Sequence, residues 1–308
     1  MDVLTTITEY KLHLKAAGYA AATMDSYRKN LDQFCRYLAG LKVTDLRTVT
    51  PRMIFDYQAY VMAQPIAMES KALKLRPVKR LFEHLVATHK LLINPAEGIV
   101  ETSRKNRKIG PVMSVEEVRK LMEQPNLSLK TGIRDRAVME VLYSTAIRLD
   151  ELLHLEIYHA DLKDKVLYIR KGKGARQRVV PLGKSAAVWL REYLEKIRPH
   201  YARKNPKERR LWLNHHGRVL TKESIRAGLR TYRLAAGIKT PVSPHGFRRS
   251  CATHLLQQGV DIRYIQKLLG HRHLSTTQTY TKIMPVDVKK THDKTHPGVK
   301  KDGKDHDD

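Results

Sequence analysis

SPHGFRRSCATHLLQQGVDIRYIQKLLGHRHLSTTQTYTKI, residues 243–283, is the stretch whose reading decides the fold. Its apolar residues predict a helix over 245–258 stopped by Gly259, then a helix over 261–269 stopped by Gly270. Polar groups sit at the edges of that frame. His245 and Arg248 lie three residues apart, one helical turn, and so share a face. His271 follows the Gly270 stop, and Tyr280 comes nine residues later.

Upstream, the period changes from helix to strand. Val166-Leu-Tyr-Ile169 and Arg178-Val-Val-Pro181 are short β-type runs, and the basic turn Lys171-Gly-Lys-Gly174 lies between them. This predicts a hairpin. Helices are predicted over 184–197 and over 222–236, the latter capped by Thr221 and stopped by Gly237. Ahead of the hairpin comes Thr145-Ala-Ile-Arg148-Leu-Asp-Glu151-Leu152. Ser114 with Glu117 forms a capping box that opens this half of the chain.

The first hundred residues read as helices. Leu4, Ile7, Tyr10, Leu12 and Leu14 form a loose stripe over 3–17. Thr23 is the expected cap of the next helix, with Tyr27, Leu31, Phe34, Tyr37 and Leu38 on one face. Thr50-Pro51 opens a helix over 51–63. A further helix runs from about Ser70 to Leu91, and Pro77 is expected to kink or restart it. Residues 101–112, ETSRKNRKIGPV, are polar and aperiodic and read as a linker. The expected organisation is therefore a helical domain over 1–100, a linker over 101–112, a mixed domain over 113–284 and a tail over 285–308. The end of that tail is expected to be disordered in the free chain. The fold class is mainly α with a small β-hairpin or sheet in the second domain (α+β).

Composition narrows the function. The 308 residues carry 58 Lys and Arg against 31 Asp and Glu, a formal charge of +27. The basic residues are spread along the chain, which favours a polyanion whose counterions are released on binding. The two cysteines, Cys35 and Cys251, sit in helical patterns and suggest a reducing compartment rather than a disulfide framework. No signal peptide and no apolar run of membrane-spanning length are apparent, so a cytoplasmic, nucleoid-associated protein is expected. The pair His271-Arg-His273 has one metal-like spacing but no supporting carboxylate or cysteine, so no metal and no cofactor are expected.

Arg148, Lys173, His245, Arg248, His271 and Tyr280, in this order and spacing, resemble the catalytic set of tyrosine recombinases, the phage-integrase and Xer-type family. The resemblance covers essentially the whole chain. It implies a helical core-binding, SAM-like DNA-binding domain followed by a tyrosine recombinase catalytic domain. It also implies double-stranded DNA with paired half-sites as substrate, a homo- or hetero-tetramer on that DNA, and room for accessory DNA-bending proteins. Three positions depart from the family pattern. Ala146-Ile147 stands where Gly-Leu is common, Arg249 where histidine is usual, and Asp150 where serine or another small residue is commoner.

Elementary chemistry gives these residues the same roles. Two guanidiniums, Arg148 and Arg248, can hold phosphoryl oxygens through forked hydrogen bonds. The Tyr280 hydroxyl, with an ordinary pKa near 10, needs a base or a positive site before it attacks, and His245 is the candidate to receive or stabilise that proton. Lys173 suits the general acid at the leaving 5′-oxygen. His271 can bond a non-bridging oxygen or orient Tyr280. Glu151 reads as a structural residue that holds an arginine in place, and His254 as a packing residue. Taken singly, each residue has an ordinary structural explanation; the joint pattern makes the reaction class. A type IB topoisomerase and a catalytically silent DNA-binding protein are the alternatives. Within recombinases, the tail Thr291–Pro297 resembles those of mobile-element enzymes, so integration or excision is expected ahead of Xer-type resolution of chromosome dimers.

Overall fold

A computed structural model describes residues 1–100, 110–170 and 177–270. The chain divides into two compact units, Met1–Arg107 and Lys108–Asp308. In the first unit the helices are α1 (Val3–Ala16), α2 (Ala21–Gly40), α3 (Pro51–Met62) and α4 (Met68–Ala87). α1 buries Val3, Ile7, Tyr10 and Leu14, a row of alternating four- and three-residue steps. Leu4 and Leu12, expected in that stripe, fall off the row and are 68% and 63% exposed. α2 inserts Leu31, Phe34 and Leu38 fully into the core. It starts two residues before the expected Thr23 cap, and Ala20 at its N-cap makes no side-chain hydrogen bond. The Thr50 hydroxyl does cap α3, accepting from the Met53 amide at 3.3 Å.

Pro77 was expected to kink or restart α4; the helix does not restart there but continues through the proline. Proline has no N–H for the carbonyl one turn back, that of Leu73. The Asn30 side-chain amide, from α2, donates to that carbonyl at 3.1 Å instead. The proline ring is buried next to Val78 and Leu81 in the sequence of the helix, so its apolar surface is removed from water.

The second unit opens with the expected capping box. Ser114 Oγ accepts from the Glu117 amide and Glu117 Oε2 accepts from the Ser114 amide, at 3.0 and 2.9 Å. This starts α5 (Val115–Met122), followed by α6 (Lys130–Thr145) and α7 (Leu149–Leu153). α6 is buried on most sides and packs on α8 (Lys184–Glu192) and α11 (Pro244–Gln257). A helix surrounded by protein needs no single apolar stripe, which is why it is hard to delimit by periodicity. Three short antiparallel strands, β1 (Ala160–Asp161), β2 (Val166–Ile169) and β3 (Arg178–Pro181), lie in the order β1-β2-β3. The hairpin pairs Leu167 with Val180 and Ile169 with Arg178. The turn residues 171–176 lie outside the described residues, as do 101–109 of the expected linker and everything after Gly270.

The single helix expected over 184–197 is interrupted. α8 gives way to one π turn, Tyr193–Ile197, and then α9 (Arg198–Ala202). The turn begins at Tyr193, whose hydroxyl is fixed in the core: it donates to the Leu211 carbonyl and accepts from the Leu213 amide, both at 3.0 Å. Its ring stacks on Trp212 at 5.1 Å. α10 (Lys222–Ala235), α11 and α12 (Ile262–Leu269) complete the unit. Thr221, Ser243 and Asp261 cap them with side-chain oxygens. Among the described residues no helix is long and apolar enough to cross a membrane.

Candidate active site

The site grows from the end of α6. Ala146 leaves that helix in the left-handed conformation, φ +51°, fully buried. An L-residue is strained there by roughly 1 kcal/mol, whereas glycine is not. The glycine common at this position in the family therefore has a backbone reason. The reversal aims the Ala146 carbonyl at α11, where Arg248 Nη1 donates to it at 2.6 Å. Arg248 Nη2 donates to the Leu269 carbonyl, at the C-terminal end of α12, at 2.7 Å. Arg248 is 2% exposed. A buried guanidinium fixed on two carbonyls has one orientation, which suits a group that must meet a charge without reorganising.

Two residues beyond Ala146, Arg148 is the N-cap residue of α7. Its Nη1 donates to Glu151 Oε1 at 2.9 Å and its amide to Glu151 Oε2 at 2.8 Å. Its side chain is 28% exposed, within reach of a ligand. Glu151 also receives a fork from Arg178, at the start of β3: Nη1 to Oε1 at 3.0 Å and Nη2 to Oε2 at 2.8 Å. Burial alone would push the Glu151 carboxyl up. The fork from Arg178, the Arg148 amide and the two guanidinium charges outweigh burial and hold it at about 2. Glu151 thus holds two arginines, where the sequence suggested one.

His245 lies in the first turn of α11, exposed, three residues before Arg248. Arg148 on Glu151 and Arg248 on the Ala146 carbonyl are thus anchored around one short stretch of chain, since Ala146 and Arg148 are two residues apart, and His245 lies on the helix that carries Arg248. Lys173, His271 and Tyr280 lie outside the described residues. Cys251, one turn after Arg248, is buried, and burial pushes its thiol up to about 12. At neutral pH it stays protonated and is no nucleophile.

Two of the departures from the family pattern, Arg249 and Asp150, make local contacts of their own. Arg249 Nη1 donates to the Pro111 carbonyl at 2.7 Å. Asp150 pairs with Lys222 at 2.5 Å on the surface. His254 Nε2 meets the Met113 carbonyl at 2.9 Å and therefore carries the proton, so Nδ1 accepts from the Tyr143 hydroxyl at 2.8 Å. Ser250 Oγ accepts from the Met113 amide at 2.9 Å. α11 thus fastens the entry segment of its own unit, residues 111–113, while presenting His245 and Arg248 near its start. The residue that sequence reasoning missed is Arg178. It opens the second strand of the hairpin, at the foot of the glycine-flanked turn, a position that gives no sign in sequence of its distant partners.

Comparison with known proteins bears on the whole chain. Residues 111–285 match the phage integrase family, and residues 7–89 match the phage integrase N-terminal SAM-like domain. Tyrosine recombinase XerD of Listeria monocytogenes is 34% identical over 282 residues, 91% of this chain and 94% of the relative. Tyrosine recombinase XerD of Staphylococcus aureus is 31% identical over 294 residues, 95% and 99% of the two chains. Among solved structures, a lambda integrase dimer bound to a COC′ core site superposes with a TM-score of 0.73 at 17% identity, covering 100% of this chain and 99% of that one. XerH bound to palindromic difH substrate, a post-cleavage complex, gives 0.71 at 21% identity, covering 91% and 81%. The fold is shared with these structures, and the sequence matches establish that the chain belongs to the phage integrase family and is an Xer-like tyrosine recombinase, an enzyme of site-specific DNA recombination.

Proposed function

We propose that the chain cleaves and rejoins duplex DNA through a 3′-phosphotyrosyl bond made by Tyr280. In this reading the phenolic oxygen attacks the scissile phosphorus, the bond to the 5′-oxygen breaks with its electron pair going to that oxygen, and Lys173 protonates the departing 5′-oxygen to a hydroxyl. Arg148 and Arg248 hold the non-bridging oxygens. His245 receives or stabilises the tyrosine proton. His271 bonds a non-bridging oxygen or orients Tyr280. These six side chains supply every charge and proton that in-line displacement needs, so the reaction requires no metal. The observation that supports the reading is that both arginines are anchored around the end of α6, Arg248 on the Ala146 carbonyl and Arg148, two residues on, by Glu151. Two permanent cations anchored to one framework suit a single phosphate.

Strand exchange between two duplexes requires paired half-sites and four protomers, and this assembly is part of the proposal. We assign the biological role to integration or excision of a mobile element, on the strength of the tail Thr291–Pro297. The XerD names of the relatives favour a second reading, Xer-type resolution. A nicked suicide substrate tests the chemistry. The wild-type chain is expected to form a covalent adduct, Tyr280→Phe to form none while binding the site, and Arg148→Ala and Arg248→Ala to slow cleavage by about 100-fold or more. An adduct from the Phe variant would assign the attack to another residue. Mapping the trapped positions across a genome separates element ends from a single chromosomal site.

A further inference from the structure

Arg178 has no part in the reaction just described, yet it makes the most restrictive contacts in the cluster. Its fork spans both oxygens of Glu151, and its Nε donates to the Leu268 carbonyl at 3.1 Å. Three N–H groups committed in two directions leave it poorly placed to turn towards a phosphate. Its backbone is fixed by pairing with Ile169 in the sheet. The Glu151 carboxylate is thus located from β3, and Glu151 in turn receives both the side chain and the amide of Arg148.

The second contact leads to the other arginine. Leu268 and Leu269 present successive carbonyls at the C-terminal end of α12, where no further turn of helix satisfies them. Arg178 takes the first and Arg248 the second. Gly270, in the left-handed conformation at φ +63°, ends the helix against the Arg178 side chain. A Cβ there would lie 3.2 Å from Arg178 Cδ.

We propose that Arg178 is a positioning residue for DNA cleavage, which sets Arg148 through Glu151 and sets the end of α12, on which Arg248 rests, through the Leu268 carbonyl. The two phosphate-binding guanidiniums are thereby held in one register from the foot of the hairpin. This inference rests on the reading of Arg148 as a phosphate ligand. It carries a consequence that a merely structural residue would not. The charged groups facing Glu151 among the described residues are Arg148 on its own helix and Arg178 from β3. Without Arg178, burial of the carboxyl works against one remaining partner, so Glu151 takes up a proton at a higher pH and releases Arg148 as it does.

The test measures adduct formation by the full chain on a nicked suicide site between about pH 5.5 and 9, as the ratio of variant to wild-type rate. The ratio removes the pH dependence of the tyrosine itself. Arg178→Met is expected to bind the half-site within about 3-fold, to cleave about 10-fold or more slowly at the acid end, and to recover as pH rises. Arg178→Lys keeps a charge beside Glu151 and is expected to give a smaller defect with a flat ratio. If the methionine variant does not fold, Arg178→Gln, which retains a donor for the Leu268 carbonyl, takes its place with the same expectation. A flat ratio for the neutral variant, or an equal climb for the lysine variant, overturns the proposal. Arg148→Ala is run alongside. Normal cleavage by that variant removes the phosphate reading and the inference with it, whereas its failure beside a flat Arg178→Met ratio removes the inference alone.

Discussion

Glu151→Gln probes the charge that balances the cluster. The substitution keeps the shape and removes the anion that pairs with Arg148 and Arg178. The carboxyl is 3% exposed and is held at about 2 against an ordinary 4.5. At 1.36 kcal/mol per unit, that difference corresponds to roughly 3 kcal/mol of folded-state stability at neutral pH, and removal of one partner of a buried pair falls in the same range. The sign follows from the direction. A carboxyl depressed on folding stabilises fully above its unfolded value, and the contribution is lost as pH falls from about 4.5 towards 2. Urea unfolding followed by tryptophan fluorescence reads this unit alone, because both tryptophans, Trp189 and Trp212, belong to it. The expected gap between wild type and variant is about 3 kcal/mol at pH 7, narrowing below pH 4.5. A gap under about 1 kcal/mol at pH 7, or one that stays constant down to pH 3, would refute the idea that Glu151 is the counter-ion of both arginines.

Other perturbations address neighbouring features. Ala146→Gly relieves left-handed strain of about 1 kcal/mol but gives up a buried methyl worth about 0.8 kcal/mol, so stability should move by less than about 0.5 kcal/mol in the same unfolding assay; a loss above about 2 kcal/mol would show that the methyl fills an essential gap. Lys173→Ala should cleave poorly on a normal substrate and recover on one whose leaving 5′-oxygen is sulfur, since a thiolate departs unprotonated. Equal impairment on both substrates would take the acid role away from Lys173. Truncation after Lys282 should leave single half-site binding nearly intact and abolish cooperative filling of paired half-sites in gel-shift titrations. Unchanged cooperativity would mean that Ile283, Met284, Val286 and Val288 do not connect protomers.

Much of the architecture is legible because it rests on local rules. The Ser114-Glu117 box, the Thr50-Pro51 start and the Gly270 stop each act within four residues, so the sequence displays them directly. The hairpin strands fall where their β-branched runs lie. What escapes is decided by partners distant in sequence. Pro77 sits inside a helix because Asn30, on another helix, takes over an orphaned carbonyl. The break after α8 coincides with a tyrosine hydroxyl held by the chain around Trp212. Leu4 and Leu12 look like core residues to a composition count and are excluded by geometry. In the site, Arg148 and Arg248 were visible through their spacing relative to other polar residues. Arg178 was not, because its role depends on a carboxylate 27 residues away and a carbonyl 90 residues away.

That long-range closure has a consequence for how the enzyme comes into being. The bonds around Arg248 join residues 102 and 21 positions apart, and those of Arg178 reach back to Glu151 and forward to Leu268. No early portion of the second unit contains both ends of the cluster. A chain emerging from the ribosome acquires Arg148 long before it acquires the α12 carbonyls that steady its two companions. A fragment that stops short of α12 keeps all three arginines but lacks the Leu268 and Leu269 carbonyls on which two of them rest. The arginine cluster is therefore completed only once the end of α12 has been made.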